Sequence, residues 1–455
     1  MNQDLDVIII GWGKGGKTLA GTLARNGQRV AMIEASADMF GGTCINIGCV
    51  PTKALIHDAQ IRDSVGFDPQ YFEHSVKRRD QLTAMMRQKN YAILNELDAV
   101  ALFTGRASFT GADTVRVSTD TEQIELRAAK IVINTGSLPT VPAITGAQVG
   151  GRIHDSTTLQ HADLPHHLVV VGGGYVGIEF ASMFAHYGSR VTILDRGTRP
   201  LKKEDPDVAA EVVSALADAG VKILSAATVT ELSAESDRVM VQYQIAGEHF
   251  QLNADAVLLA LGRTPNTVGL NLAAAGVEVG ERGEILVDEY LRTSVEGIYA
   301  VGDVNGGPQF TYISLDDYRI LADQFLGDGT RRTTDRVAVP NTIFTTPPLA
   351  RVGLSEEQAR EQEYRINVAV KPVSEIAAMP RPKIVGETRG IVKFVVDAVD
   401  DQILGAALMH IDSQEVINLV ALAMRQSVTA SELRDQIFTH PSSTEALNEV
   451  LGLLD

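Results

Sequence analysis

Short apolar runs that end in glycine recur along this chain, and each leads into a stretch of helical period. Leu5-Asp-Val-Ile-Ile-Ile10 is β-branched and apolar at successive positions, which predicts a strand buried on both faces. A helix is expected over 17–26 and a second strand over 30–33, closed by Glu34. The same alternation returns as a strand at 168–171, a helix at 178–187 and a strand at 191–194, closed by Asp195. Between the two, 54–63 reads as a helix after Pro51, and 72–97 as a long polar helix with Leu82, Met85, Met86, Ile93 and Leu94 on its apolar side. Strands are expected at 115–118, at 123–127 and from Lys130 into Thr135-Gly136. More follow at 221–224, 239–245, 256–261 and 298–303, with a helix starting near Ser314 and a polar linker at 327–335. From about residue 340 strands near 366–371, 391–396 and 403–411 precede helices near 413–425 and 430–437, the pattern of an α+β unit.

The glycines sharpen this. Gly11-Trp-Gly13-Lys-Gly-Gly16 lies between a strand and a helix. Gly11 permits a tight turn, Gly13 admits a pyrophosphate close to the backbone, and Gly16 allows close helix packing. The helix N-terminus would offer free N–H groups to the phosphates, and Glu34 is placed for a ribose hydroxyl. Gly172, Gly174 and Gly177 repeat the arrangement with Asp195 as the acid. A whole domain is therefore repeated, and two dinucleotides are implied. The expected fold is α/β: two Rossmann-like dinucleotide-binding domains plus a C-terminal α+β domain. Its boundaries are 1–150 for the first domain, 151–265 for the second, 266–339 for a return to the first, and 340–455 for the last.

Composition bounds the partners. The 455 residues carry a net charge of −17, which argues against nucleic acid or an anionic membrane. Lys77-Arg78-Arg79 and Arg331-Arg332 read as solvated surface. Val7–Ile10 is far too short for a signal core, and no run approaches the roughly 18 apolar residues of a membrane helix. A cytoplasmic protein is the expectation.

Only two cysteines occur, Cys44 and Cys49. A bridge across so few residues would restrict the unfolded chain very little. Thiols so placed serve chemistry, as a dithiol oxidised and reduced in turn; the alternative is two small buried hydrophobes. They sit in or just before the first turns of a helix, where the dipole favours thiolate. Near the C-terminus Glu445 follows His440 by five residues, close enough to bond a ring nitrogen and fix its tautomer, which would supply the base a dithiol enzyme needs. His161, His166 and His167 read as a wet loop before a strand, and no Cys/His spacing suits zinc, so no metal site is expected.

Together these features resemble the flavin-dependent pyridine nucleotide–disulfide oxidoreductases over nearly the whole chain. Gly-Gly-Thr-Cys-Ile-Asn-Ile-Gly-Cys (41–49), Gly-Trp-Gly-Lys-Gly-Gly-Lys-Thr-Leu-Ala (11–20), Gln-Phe-Thr-Tyr-Ile-Ser-Leu-Asp-Asp-Tyr-Arg-Ile (309–320) and Asp-Gln-Ile-Phe-Thr-His-Pro-Ser (435–442) are most similar to that family's bacterial branch for resistance to reactive chlorine, which reduces hypothiocyanous acid. The resemblance implies a homodimer that uses FAD and NADH or NADPH in defence against oxidative stress. Gly11, Gly13, Gly16, Glu34, Gly42, Thr43, Lys53, Thr135, Gly136 and Asp303 would hold FAD. Gly172, Gly174, Tyr175, Gly177, Glu179, Asp195, Arg196 and Gly262 would hold the nicotinamide nucleotide, with Tyr175 over its pocket. Lys53 would pair with Glu179 beside the flavin. Cys49 would face the flavin and Cys44 the substrate, while His440 and Glu445 reach the partner's dithiol and keep Cys44 deprotonated. The substrate implied is a small oxidant, hypothiocyanous acid first and copper(II) second. Asp195 favours NADH, although Arg196 and Arg199 could accept a 2′-phosphate. Pro51-Thr52-Lys53 differs from the Pro-Lys-Lys usual in glutathione reductases, and mercuric reductases and large thioredoxin reductases carry a further cysteine pair near the C-terminus. Dihydrolipoamide dehydrogenase remains the alternative enzyme, and a flavin–dithiol redox sensor or metal binder the non-enzymatic one.

Overall fold

The structure, a computed structural model, describes residues 5–62 and 66–454. It forms two compact units. The first takes the chain up to Leu55, then Glu73–Thr140 and Gly262–Arg336; the second takes Ile56–Phe72, Val141–Leu261 and the chain from Val337 onward.

In the first unit the strand Leu5–Ile10 lies parallel between Val30–Glu34 and Gln123–Ile133. Val100–Thr104 extends one side and Ile298–Ala300 the other, both parallel. Successive side chains of the central strand enter different cores. Ile8 and Ile10 pack with Ile33, Phe109 and Ile131, while Val7 and Ile9 pack with Trp12, Leu19 and Leu23. That is why an unbroken apolar run is stable here: neither face meets water. The carboxyl ends of the strands are tied in one row. Gly11 N donates to Ile33 O at 2.8 Å, Asn134 N to Ile10 O at 2.7 Å, and Val301 N to Ile133 O at 2.9 Å. This row is where a doubly wound sheet offers its ligand crevice.

Two expected strands, 123–127 and the one opening at Lys130, are a single strand of 11 residues. Nothing between them supplies a turn, so the chain runs on from an antiparallel meander with Thr114–Ser118 and Arg106–Gly111 into the parallel sheet. Arg106–Gly111 and Val100–Thr104 carry no clear alternation and were not expected. The first helix opens earlier than expected, at Lys14, and the long polar helix spans Pro69–Asn95. The helix read at 54–63 runs instead over Cys49–Gln60, taking in Pro51 in its first turn, where a missing N–H costs nothing. Residue 63 lies outside the described residues.

The second unit holds a parallel sheet in the order Val221–Leu224, Arg190–Leu194, His167–Val171, Ala256–Leu259, Ile153–His154. It also holds an antiparallel sheet in the order Asn341–Ile343, Leu349–Gly353, Ile403–Met409, Ile391–Asp397, Ile366–Pro372. Ser413–Arg425 and Ala446–Leu451 cover the latter through Ile417, Val420 and Leu447 against Phe394 and Leu408. Helix Pro206–Asp218 and the antiparallel sheet Thr228–Ala234, Val239–Ile245, Glu248–Ala254 complete the unit.

Two surface readings are corrected. His167 is buried in its strand, not in a wet loop, because Nδ1 meets Asn253 O at 2.8 Å and Nε2 meets Thr192 Oγ1 at 3.0 Å. Arg79 is buried as well, with its guanidinium on Asp80.

Candidate active site

The helix starts at Gly13, Gly42 and Gly174 each lack both a capping side chain and an acid in the first turn. The first two lie together, since a Cβ on Gly42 would stand 2.9 Å from Gly13 Cα and Trp12 O. Gly42 has φ +81, which a side chain would strain. Two adjoining helix starts with free N–H groups and no carboxylate in their first turns suit a diphosphate. The rest of the first crevice is fixed by hydrogen bonds. Glu34 takes Trp12 N at 2.9 Å and Ala35 N at 2.7 Å, and burial pushes its pKa above the usual carboxylate range despite those bonds. Thr135 donates to Asn266 O, and Gly136 faces Thr43 Oγ1. Asp303 accepts from Ser137, whose oxygen accepts in turn from Arg263. Asn134 was not singled out from sequence. It takes Gly16 N at 2.8 Å and donates to Val301 O at 2.7 Å, clamping helix to sheet. These residues fit an FAD-type dinucleotide.

Beside that crevice stand the cysteines, both as thiols. Cys44 belongs to the one-turn helix Thr43–Asn46, whereas Cys49 opens the helix Cys49–Gln60. Of the two, only Cys49 stands at the head of a helix long enough to have a useful dipole. A hydrogen bond to Cys49, then burial, then the charge on Cys49 push the Cys44 thiol far above the ordinary range, against the pull of Thr311 and Lys17. Cys44 is half-buried within its turn, and the Cys49 sulfur lies 3.6 Å from the Thr311 hydroxyl. Burial, then the charge on Cys49, push the neighbouring Tyr312 phenol up as well. Thr311 and Tyr312 open helix Thr311–Leu326 and were missed as site residues, although they lie in a segment that carried the resemblance. Lys53 follows Cys49 by one turn of its helix.

In the second unit Gly172 has φ +112, and a Cβ on Gly177 would lie 2.1 Å from Gly172 O, so both glycines are required. The carboxylate of Asp195 borders Gly173. Arg196 is exposed, but Arg199 is not available for a phosphate: its guanidinium serves the carbonyls of Leu201, Lys202 and Glu204. Tyr175 donates to Glu204 at 2.8 Å, and Glu179, buried, accepts from Phe344 N at 2.8 Å. His440 Nδ1 meets Glu445 Oε1 at 2.8 Å, with the imidazole side chain 70% exposed. Burial opposes ionisation of Glu445, but the bonds from His440 and Ser442 N outweigh it and hold the carboxyl below its usual range. Gly262 opens the last segment of the first unit, where its carbonyl accepts from Thr140 N. Among the described residues no cluster of three or more His, Cys, Asp or Glu could hold a metal ion, and no helix is long and apolar enough to cross a membrane.

Known proteins share this arrangement. Residues 5–317 match the pyridine nucleotide-disulphide oxidoreductase family and residues 339–451 its dimerisation domain. The "probable pyridine nucleotide-disulfide oxidoreductase RclA" of Escherichia coli (strain K12) is 46% identical over 98% of both chains. A mercuric reductase of Bacillus cereus is 34% identical over 98% of this chain and 71% of its own length. The solved structure described as the Cu(II) complex of HOCl-induced flavoprotein disulfide reductase RclA from Escherichia coli superposes with a TM-score of 0.94 at 45% identity, covering all of both chains. With both family domains present and the glycine turns, thiol pair and helix starts in place, this chain belongs to the pyridine nucleotide-disulphide oxidoreductases.

Proposed function

We propose that this enzyme uses NAD(P)H, preferring NADH, to reduce a small electrophilic oxidant at Cys44 and Cys49, and that the oxidant is hypothiocyanous acid. The observation that carries the reading is the pair of free thiols, Cys44 in its one-turn helix and Cys49 at the head of the next, beside a diphosphate-binding crevice. The family supplies FAD, which when bound relays two electrons from the nicotinamide to the sulfur pair. The charge on Cys49 suits it to the flavin side, and Cys44 is left to meet the oxidant. Cys44 sulfur attacks the sulfur of HOSCN, an S–S bond forms, and oxygen leaves as water with the thiol proton. Cys49 thiolate then attacks Cys44 sulfur, which closes the disulfide and expels thiocyanate. Two electrons and one proton from NAD(P)H balance the cycle.

His440, oriented by Glu445, would take up and return the Cys44 proton from the partner subunit, and Lys53 with Glu179 would steady the flavin end. The preference for NADH follows from Asp195 at the strand end and from Arg199 being committed to backbone carbonyls. The Escherichia coli relative is described as HOCl-induced and was solved with Cu(II), which supports a reactive-chlorine setting and makes copper(II) the second candidate substrate. The test is NADH oxidation by the FAD-loaded enzyme with hypothiocyanous acid, copper(II), lipoamide and glutathione disulfide in parallel. Hypothiocyanous acid should give the highest kcat/KM, and Cys44→Ser should lower it by at least a hundredfold. Full activity in that variant, or a clear preference for lipoamide, would overturn the reading.

A further inference from the structure

The loop that follows Asp195 is pinned along its length. Leu201 N donates to Gly173 O at 3.3 Å, which ties the loop to the second glycine turn, and Ala226 N donates to Gly197 O at 2.7 Å. The Arg199 guanidinium holds the carbonyls of Leu201, Lys202 and Glu204. From the C-terminal sheet Arg351 donates to Lys203 O at 2.9 Å and meets the Glu204 carboxylate at 3.2 Å. A backbone held this way gives its side chains a fixed root. Gly197 is buried although Arg196 and Thr198 on either side are exposed. The stem of Lys202 lies over it: a Cβ on Gly197 would collide with Lys202 Cε. The same Cβ would stand 3.0 Å from Asp195 Oδ2, and so would a Cβ on Gly173. The Asp195 carboxylate therefore sits between two glycines, one in the turn that suits a nucleotide and one beneath Lys202. Among the described residues neither this carboxylate nor the Lys202 ammonium forms a hydrogen bond or an ion pair.

We infer that Lys202 is a specificity-determining residue, the cation that meets an adenosine 2′-phosphate and lets an enzyme that favours NADH also accept NADPH. This rests on the reading that the second glycine turn holds the nicotinamide nucleotide, and it depends on neither the thiols nor the oxidant. An acid at the end of the second strand accepts ribose hydroxyls, and a cation beside it takes a 2′-phosphate. Arg199 is spent on carbonyls, whereas Lys202 is uncommitted and its stem lies over the glycine that borders the acid. The two charges act on different nucleotides. Asp195 repels a 2′-phosphate and rewards a free 2′-hydroxyl. Lys202 offsets the repulsion with a charge-assisted bond that the hydroxyl cannot match. Removing the lysine therefore costs affinity for only one of the two nucleotides.

The test is calorimetric titration of the FAD-loaded, oxidised enzyme with NAD+ and with NADP+, in the absence of any oxidant substrate. Lys202→Met should weaken NADP+ binding about tenfold and NAD+ binding by less than about twofold, and Lys202→Arg should keep NADP+ binding. Gly197→Ala retains the charge but pushes the stem aside, and should shift the ratio of the two affinities in the same direction as Lys202→Met. Lys203→Met removes the same charge one residue further on and should leave that ratio unchanged. An unchanged ratio in Lys202→Met would overturn the inference. So would an equal shift in Lys203→Met, which would assign the effect to the overall field and not to a placed cation. Tighter binding of NADP+ than of NAD+ by the wild type would refute the proposed NADH preference, and the inference would stand if Lys202→Met still lowered NADP+ affinity alone. A wild type that binds neither nucleotide would overturn the reading of the glycine turn and the inference together.

Discussion

At the scale of single residues, the chemistry depends on which sulfur holds the proton. Sequence spacing identified both cysteines but could not order them, because the order depends on how far each helix continues. Cys44 sits in one turn and Cys49 heads three, a difference decided by Gly48 between them and by Pro51 being tolerated in a first turn. Thr311 was illegible for another reason: a hydroxyl 262 residues away in sequence reaches Cys49 only through the fold. Its bond to Cys44 favours the thiolate. Thr311→Val keeps the shape and removes the donor, which should cost about 1 kcal/mol of thiolate stabilisation. That corresponds to a fall of roughly fivefold in the alkylation rate of Cys44 at neutral pH. An unchanged rate would show that the hydroxyl only fills space.

At the scale of elements, strands buried on both faces were the most legible, since β-branched runs bounded by glycine have few alternatives. The antiparallel meander was less so. Gln123–Ile133 serves two sheets at once, and no local signal marks where one pairing hands over to the other. Long-range polar clamps left no trace in the sequence either. In the second unit Lys393, on a strand of the C-terminal sheet and only 4% exposed, meets Asp205 at 3.2 Å, Asp207 at 2.8 Å and Glu356 at 2.9 Å. Asp205 also accepts the first N–H groups of helix Glu356–Glu361, so one lysine holds three elements together. Lys393→Met should destabilise the unit by about 3 kcal/mol in chemical denaturation, because it leaves the buried carboxylate of Asp205 without its cation. The pH dependence has a definite sign. Burial works against Asp205, but backbone bonds and Lys393 hold it below the usual carboxylate range, and the bonds from Lys393 and Arg360 do the same for Glu356. Groups depressed in the folded state contribute stability above the unfolded carboxylate value and lose it as pH falls below about 4. The wild type should therefore lose more stability on acidification than Lys393→Met, and equal losses would refute the clamp.

At the scale of the whole molecule, a homodimer follows from the dimerisation domain matched over residues 339–451, which contains both His440 and Glu445. Within one subunit the imidazole is 70% exposed, yet its tautomer is fixed by a carboxylate that also takes Ser442 N at 2.8 Å. A surface histidine has no need of such orientation unless something docks against it. On the proposed reading each dithiol meets the histidine of the other subunit of a twofold dimer, so the two halves of a site would lie on different chains. Subunits carrying Cys44→Ser and subunits carrying His440→Ala should then each form nearly inactive homodimers. The purified hybrid places both lesions in one site and leaves the other whole, so it should regain about half the wild-type turnover per dimer. A site built within one chain makes the opposite forecast, since every site in the hybrid would then carry one lesion. An inactive hybrid would refute the shared site, and a fully active His440→Ala homodimer would remove the histidine from the reaction altogether.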